Sequence, residues 1–385
     1  MKIVVLGGYG VMGSSVVRDL VKGPDVERII IAGRHINESR LHESIRKNHK
    51  VTGQIVDISD YQALIRLIKG NDVVINCVGP FYKFAIPTMK AAIEARVHYL
   101  DIMDDYDTTQ AAFDLDKTAK DAGVAVCIGY GSSPGFGNIV ARYAANKLDR
   151  VEEIRLLWGY AMNDPAGPSV LAHMFHALRG DVPQFLDGKL VYIPGGSGGE
   201  EVVDFGEKYG KCPVYYLGHP EPITMPRYFQ GIKTVVNKGC FLPLWVNSLF
   251  LELLKRGFGD TEPIGLINNV NLPPESMVIH IMQSGSEFRK LVEESTTAPL
   301  NVVVKGTIGN KKVTYVYSSD GRMAPGTAIP ASICAQMLAR GEIKGSGILP
   351  PEACVDPVLF LSRFAQRGFR LHEQSIVAGE VELSE

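Results

Sequence analysis

The sequence predicts an α/β protein: a doubly wound parallel sheet followed by a central α+β domain. Three observations carry this. An apolar strand, Lys2-Ile3-Val4-Val5-Leu6, runs straight into a glycine turn, Gly7-Gly8-Tyr9-Gly10-Val11-Met12-Gly13. Strand and helix patterns then alternate through residues 1–130. After Ser132-Ser133-Pro134-Gly135 the alternation stops and Gly and Pro turns become frequent.

Taken in order, the turn leads into a helix over Val11 to Lys22, with apolar Val16, Val17, Leu20 and Val21 at helical spacing. A second strand, Arg28 to Ala32, ends in Gly33-Arg34, and a third, Val51 to Asp57, ends on an acid. A helix from Asp60 to Lys69 follows. Val73 to Val78 is a continuous apolar run bounded by Asn71-Asp72 and Gly79-Pro80, the pattern of a parallel strand buried on both faces. A helix over Ile86 to Ala95 leads to a strand at His98 to Asp101, and a helix over Asp107 to Ala122 leads to one at Val124 to Ile128. Ligands of such a sheet bind beyond the carboxyl ends of its strands. Beyond it, a helix over Phe136 to Leu148 bridges to a strand over Glu153 to Tyr160. Val302 to Ile308 and Lys311 to Ser318, separated by Gly309-Asn310, read as a β-hairpin. Ile329 to Arg340 and Pro357 to Arg367 read as helices.

Gly8, Gly10 and Gly13 match G-x-G-x-x-G in its strand–turn–helix setting. The first glycine serves a tight turn, the second a close approach of backbone to a pyrophosphate, and the third close helix–strand packing. The helix N-terminus offers free N–H groups and a positive dipole end to the phosphates. Gly8, Tyr9, Gly10, Val11, Met12 and Gly13 are therefore cofactor-binding candidates. An NAD site places Asp or Glu at the tip of the second strand, about 20 residues past the glycines. Here the tip reads Ala32-Gly33-Arg34-His35, without an acid. Gly33 leaves room and Arg34 can fork a 2′-phosphate, with Arg40 in support, so the expected cofactor is NADP(H), with NAD(H) as runner-up.

Composition excludes several classes. The 385 residues are 45% hydrophobic and 21% charged, with a net charge of −2, which gives no electrostatic case for nucleic acid or an anionic membrane. The most apolar later stretch, Gly239 to Leu254, is broken by Pro243, Asn247 and Glu252 and is too polar to span a bilayer. The first strand starts at once, so no signal peptide is expected. Six scattered cysteines without a C-x-x-C pair point to reduced thiols in a cytoplasmic protein and to no zinc site.

Several segments together resemble the saccharopine dehydrogenase family, including its saccharopine reductase and lysine 6-dehydrogenase-like members. They are Asn76-Cys77-Val78-Gly79-Pro80-Phe81, Val97-His98-Tyr99-Leu100-Asp101, Ser133-Pro134-Gly135-Phe136-Gly137-Asn138, the run Gly218 to Arg227, Gly347-Ile348-Leu349-Pro350-Pro351-Glu352, and Phe364 with Gln366-Arg367-Gly368. The resemblance spans nearly the whole chain. It implies a Rossmann domain over residues 1–132, a central mixed-sheet domain for substrate and dimer contacts over 133–328, and C-terminal helices returning to the Rossmann domain over 329–385. The implied chemistry is hydride transfer at a C–N bond of an amino-acid-like or opine-type small molecule by a homodimer. Lysine 6-dehydrogenase-like members carry an acid at the second strand tip and use NAD, and this chain departs from them there.

On that reading Val78 and Gly79 should lie under the ribose and nicotinamide, and Asp57 and Ile58 beside the adenine. The catalytic candidates are Asp101, at the end of the fifth strand, and His219 and Arg227, in a Pro-rich segment too irregular for a helix. Asp101 or His219 would handle a proton, and Arg227 would fork a substrate carboxylate. Asp101 also reads as a cap, and the Pro-rich segment as a structural turn. Asp104 and Asp105 are expected to be exposed. His173 and His176 share a helix face, but with no third ligand nearby in sequence they are not read as a metal site. Tyr143-Ala144-Ala145-Asn146-Lys147 matches the Y-x-x-x-K of short-chain dehydrogenases, a match that 15 tyrosines make expected by chance. The alternative to an enzyme is an NADP-binding sensor without turnover, and the full second domain favours the enzyme.

Overall fold

The computed structural model describes residues 1–165, 167–265, 271–292 and 297–378. The chain forms two compact units. The first comprises Met1–Phe136, Pro165–His173 and Arg322–Arg367; the second comprises Gly137–Asp164, Met174–Gly321 and the residues from Gly368 on.

The first unit is a parallel sheet of β1 (Lys2–Leu6), β2 (Arg28–Gly33), β3 (Val51–Ile55), β4 (Val73–Asn76), β5 (His98–Asp101) and β6 (Ala125–Cys127). A seventh strand, Gly347–Leu349, pairs with β6. The spatial order is β3-β2-β1-β4-β5-β6 and then Gly347–Leu349, with every pairing parallel. The order reverses between β1 and β4, and the crevice beyond that switch point is where doubly wound sheets bind ligands. All four residues of β4 are buried, as the unbroken apolar run predicted. The first helix, Val11–Leu20, lays Val16, Val17 and Leu20 into the core and buries Asp19 as well. Asp19 accepts from Ser332 Oγ at 2.7 Å and from Arg367 Nε at 2.9 and 3.1 Å, which ties the C-terminal helices Met323–Ala339 and Pro357–Ala365 to it.

Two helices differ from expectation because proline misleads. Phe81–Ala95 runs through Pro87, and Met323–Ala339 through Pro330, so each begins well before the residue the pattern suggested. Thr88 Oγ1 donates to the Phe84 carbonyl at 2.8 Å beside the first of these prolines. The segment expected as one helix over 107–122 is broken into Tyr106–Ala112, a 3-10 turn Phe113–Leu115, and Asp116–Asp121.

The second unit is built on a mixed eight-stranded sheet. Its centre is Arg150–Ala161, parallel to Thr234–Leu242 on one side and antiparallel to Ala298–Ile308 on the other. The hairpin is present with Ile308 opposite Lys311 across Gly309-Asn310, and it is longer than predicted, Ala298–Ile308 against Lys311–Gly321. Gly309 takes a left-handed φ of 56° in that two-residue turn. The strand His372–Ala378, which sequence patterning missed, pairs with the outer arm of the hairpin.

Candidate functional site

The glycine turn closes β1 at the switch point. Its left-handed residue is Gly7, φ 73°, one place ahead of the three motif glycines. A Cβ at Gly7 would stand 2.9 Å from the Cys77 carbonyl oxygen and 3.1 Å from Val78 Cγ2, so β1 and β4 meet at their tips through a residue without a side chain. A Cβ at Gly8 would stand 2.5 Å from Ile31 Cγ2, and one at Gly13 would collide with the Gly7 carbonyl oxygen. Gly8 and Gly13 thus pack the turn against β2 and the helix against the turn. Gly10 is the helix N-cap, with no side-chain cap and no acid in the first turn. The first-turn N–H groups of Val11, Met12 and Gly13 are therefore suited to an anion.

The β2 and β3 tips form a second surface. Tyr9 is buried, its ring edge 3.7 Å from where a Gly33 Cβ would stand, and its hydroxyl lies where a Gly53 Cβ would be. Two glycines on adjacent strands thus make the bed for one aromatic ring. Burial, then the charge of Glu38, pushes the Tyr9 hydroxyl's pKa up. Arg34 is exposed at the end of β2. Asp57 is exposed too, accepting from Ser59 N at 2.9 Å and Ser59 Oγ at 2.7 Å. Those hydrogen bonds, with a smaller contribution from Arg34, hold its carboxyl below the usual range. Ile58 is half-buried. The Arg40 side chain lies outside the described residues.

At the β4 and β5 ends, Val78 N donates to Asn76 Oδ1 at 3.0 Å. Gly79 lies against Ser169, whose Cβ is 2.8 Å from where a Gly79 Cβ would be. Asp101 is fully buried, with Oδ1 accepting from Gly129 N at 2.7 Å and Met103 N at 3.1 Å and Oδ2 from the Tyr99 hydroxyl at 2.9 Å. Asn76 Nδ2 donates to that hydroxyl at 3.1 Å. Burial lifts the Asp101 carboxyl to about 7, against the opposing pull of those hydrogen bonds. Asp101 therefore braces the strand ends that follow β5 and β6.

Asp105, expected to be exposed, is only 1% exposed, and Asp104 is intermediate. Asp105 Oδ1 lies 2.8 Å from His173 Nδ1 and its Oδ2 accepts from Tyr82 N at 2.9 Å, while Asp104 Oδ1 is 3.3 Å from the same imidazole nitrogen. Two acids thus stand beside His173, which linear spacing concealed, and His176 is not among that group.

In the second unit, the Pro-rich segment is helical after all, as Glu221–Thr224 and Met225–Arg227. It buries His219 and Glu221, with His219 Nδ1 3.5 Å from Glu221 Oε2. Asn237 Nδ2 donates to Glu221 Oε2 at 3.1 Å, and Trp158 Nε1 donates to Asn237 Oδ1 at 2.8 Å. Arg227 is exposed at the far end of the segment. The Tyr143–Lys147 pair belongs to a tyrosine cluster: Lys147 Nζ lies over the Tyr143 ring at 4.3 Å, and it donates to Tyr317 Oη at 3.0 Å and Glu373 Oε2 at 2.8 Å. Although burial acts downward, those hydrogen bonds push the ammonium's pKa up, so it is held as a structural cation rather than a catalytic one.

Two family models match the chain: the saccharopine dehydrogenase NADP binding domain over residues 3–127, and the saccharopine dehydrogenase C-terminal domain over residues 171–369. A lipid droplet localized protein of Caenorhabditis elegans is 29% identical over 159 residues, covering 38% of this chain and 36% of that protein. A probable mitochondrial saccharopine dehydrogenase-like oxidoreductase of Arabidopsis thaliana is 32% identical over 113 residues, 26% of this chain and 24% of that protein. The matches thus span about a third and a quarter of these relatives. The apo saccharopine dehydrogenase (L-Glu forming) of Saccharomyces cerevisiae superposes with a TM-score of 0.67 at 15% identity, over 97% of this chain and 99% of that one, a likeness of fold.

Proposed function

We propose, from the premise that this chain belongs to the saccharopine dehydrogenase family, that it is an NADP-dependent oxidoreductase acting on a C–N bond, amine to imine or the reverse, of an amino-acid-like or opine-type small molecule. The observation that carries the cofactor half is the β2 tip, Ala32-Gly33-Arg34-His35, which has no acid, with Gly33 beside the Tyr9 ring. When bound, NADPH supplies the hydride. The N–H groups of Val11, Met12 and Gly13, with Gly8 and Gly10, would hold its pyrophosphate. Arg34 would meet the 2′-phosphate, Asp57 and Ile58 would lie beside the adenine, and Val78 and Gly79 would lie under the ribose and nicotinamide. Asp101, enclosed by three hydrogen bonds, acts as a positioning residue. In the second unit, Arg227 is the group suited to a substrate carboxylate, and His219, beside Glu221, is the alternative proton donor.

The test is absorbance in the nicotinamide band with NADPH or NADP+ and a panel of lysine, saccharopine and imine pairs. Turnover with one pair supports the reading. Tight NADPH binding without any turnover favours a sensor instead. Arg34→Asp should weaken NADPH far more than NADH, and equal losses for both would refute the 2′-phosphate assignment and bring NAD forward.

For the assembly we propose a homodimer, checked by light scattering. We place it in the cytoplasm because all six cysteines are free thiols, checked by fractionation. Among the described residues no helix is long and apolar enough to cross a membrane.

A further inference from the structure

The carboxyl end of the parallel sheet holds an acid–base pair that none of the assignments above uses. Ser169 and His173 are four residues apart on the helix Pro168–Leu178, so they share a face. Ser169 rests on Gly79, just past β4, and His173 bonds to Asp105, just past β5. Both contacts lie within the first unit. The face therefore lies across the tips of the two strands that follow the switch point, on the side where the nicotinamide half of a dinucleotide reaches. Asp105 is itself fixed, since its second oxygen accepts from the Tyr82 backbone N–H at 2.9 Å. A buried carboxylate that holds one imidazole nitrogen sets the tautomer and aims the other, the arrangement by which histidines are prepared for proton transfer.

We propose that His173, oriented by Asp105, is the catalytic residue that exchanges a proton with the substrate nitrogen. This rests on the oxidoreductase reading above. In the reductive direction a C–H bond forms at the imine carbon with the hydride that the cofactor supplies. The Nε2–H bond of the imidazolium breaks and an N–H bond forms on the substrate. The imine is reduced, the nicotinamide is oxidised, and His173 is left neutral; amine oxidation runs the same steps backwards. Ser169, one helical turn away, is a positioning residue for the nicotinamide ribose. His173 is preferred to His219 because it sits in the unit that carries the glycine turn.

The test reads the imidazole directly. The full chain is labelled with 13C-histidine, and His173→Gln identifies the His173 resonance among nine. Its pH titration is followed with NADPH, with NADP+ and with 2′,5′-ADP. Oxidised nicotinamide carries a positive charge and the reduced ring none. At about 6 Å and an effective dielectric of about 40, that charge should lower the midpoint by about one pH unit in NADP+ relative to NADPH. 2′,5′-ADP, which lacks the nicotinamide, should leave the midpoint where it is without ligand. Equal midpoints in NADP+ and NADPH would overturn the proposal. Loss of the titration on adding one equivalent of Zn2+ alone would also overturn it, by making the Asp104, Asp105 and His173 group a metal site. If the wild-type chain binds none of the three nucleotides, the cofactor reading itself fails, which is a different result. With any substrate found by the panel, His173→Ala should lower kcat about 100-fold or more, with NADPH affinity unchanged and activity partly restored by free imidazole. A purely structural histidine would show no such rescue.

Discussion

Asp101 makes the stability of the first unit depend on pH in a direction opposite to the usual carboxylate. Its pKa rises from 3.8 to about 7 in the fold, with burial the largest cause. Between those values the native state keeps a proton that the unfolded chain has released, so stability falls as pH rises. The contribution is fully present below pH 3.8 and is lost by the time the pH passes 7. The interval from 3.8 to about 7, at about 1.36 kcal/mol per unit, amounts to about 4 kcal/mol. Asp101→Asn removes the titration while keeping an acceptor for the Gly129 and Met103 N–H groups. The amide placed opposite the Tyr99 hydroxyl adds a cost that does not vary with pH. The stability of wild type minus that of Asp101→Asn should therefore fall by about 4 kcal/mol between pH 4 and pH 8, most steeply between about pH 4.5 and about 6.5. Urea unfolding at four pH values measures it. Circular dichroism is the right signal, because Trp158 and Trp245 both lie in the second unit. A difference that stays constant within about 0.5 kcal/mol would refute the inference that Asp101 is buried with a raised pKa.

Three further outcomes follow from packing. Gly13→Ala drives a Cβ into the Gly7 carbonyl, a clash with main-chain atoms that should cost about 1–3 kcal/mol and weaken NADPH at least tenfold by calorimetry, because the turn must open. Asp19→Ala removes the acceptor shared by Arg367 and Ser332; Asp19 is buried but Arg367 keeps 22% of its side-chain exposure, so the loss in urea unfolding should be about 2–3 kcal/mol, at the low end for a buried pair. Glu221→Ala leaves Asn237 Nδ2 without its carboxylate, which should cost about 1–3 kcal/mol and shift Trp158 emission through the Trp158–Asn237 hydrogen bond. An unchanged spectrum would mean that the buried chain from Trp158 to Glu221 does not act as a unit.

The parts of the fold legible in sequence are those that bury apolar side chains in a regular period. β1 and β4 read as apolar runs because helices cover both faces of the parallel sheet. The hairpin read clearly because a glycine-led two-residue turn fixes its register. Patterning failed where tertiary packing overrides local preference. Pro87 and Pro330 sit inside helices that their neighbours hold together, although proline ordinarily marks a boundary. The strand Gly347–Leu349 is three residues long, too short to carry a period.

The site divides along the same line. The glycine turn was legible because backbone constraint leaves a local mark: Gly8 and Gly13 stand where a Cβ would collide, and the motif needs only one strand and one helix to be recognised. Even so, the left-handed residue is Gly7, since the motif records which positions tolerate no side chain and not which of them turns the chain. His173 and Asp105 leave no such mark. They are 68 residues apart, and the helix that carries His173 follows a strand of the other sheet, so no local pattern links it to the β5 tip. Sequence spacing placed His176 on the same helix face as His173 and found no further ligand nearby, whereas what meets that imidazole is a carboxylate from another segment. Asp101 shows the converse. Its place at the end of β5 was legible and made it a natural catalytic candidate; its partners, two backbone N–H groups and a tyrosine hydroxyl, were not. What such a carboxylate can do is a property of its three-dimensional neighbours, which here take three of its roughly four acceptor sites, and not of its position along the chain.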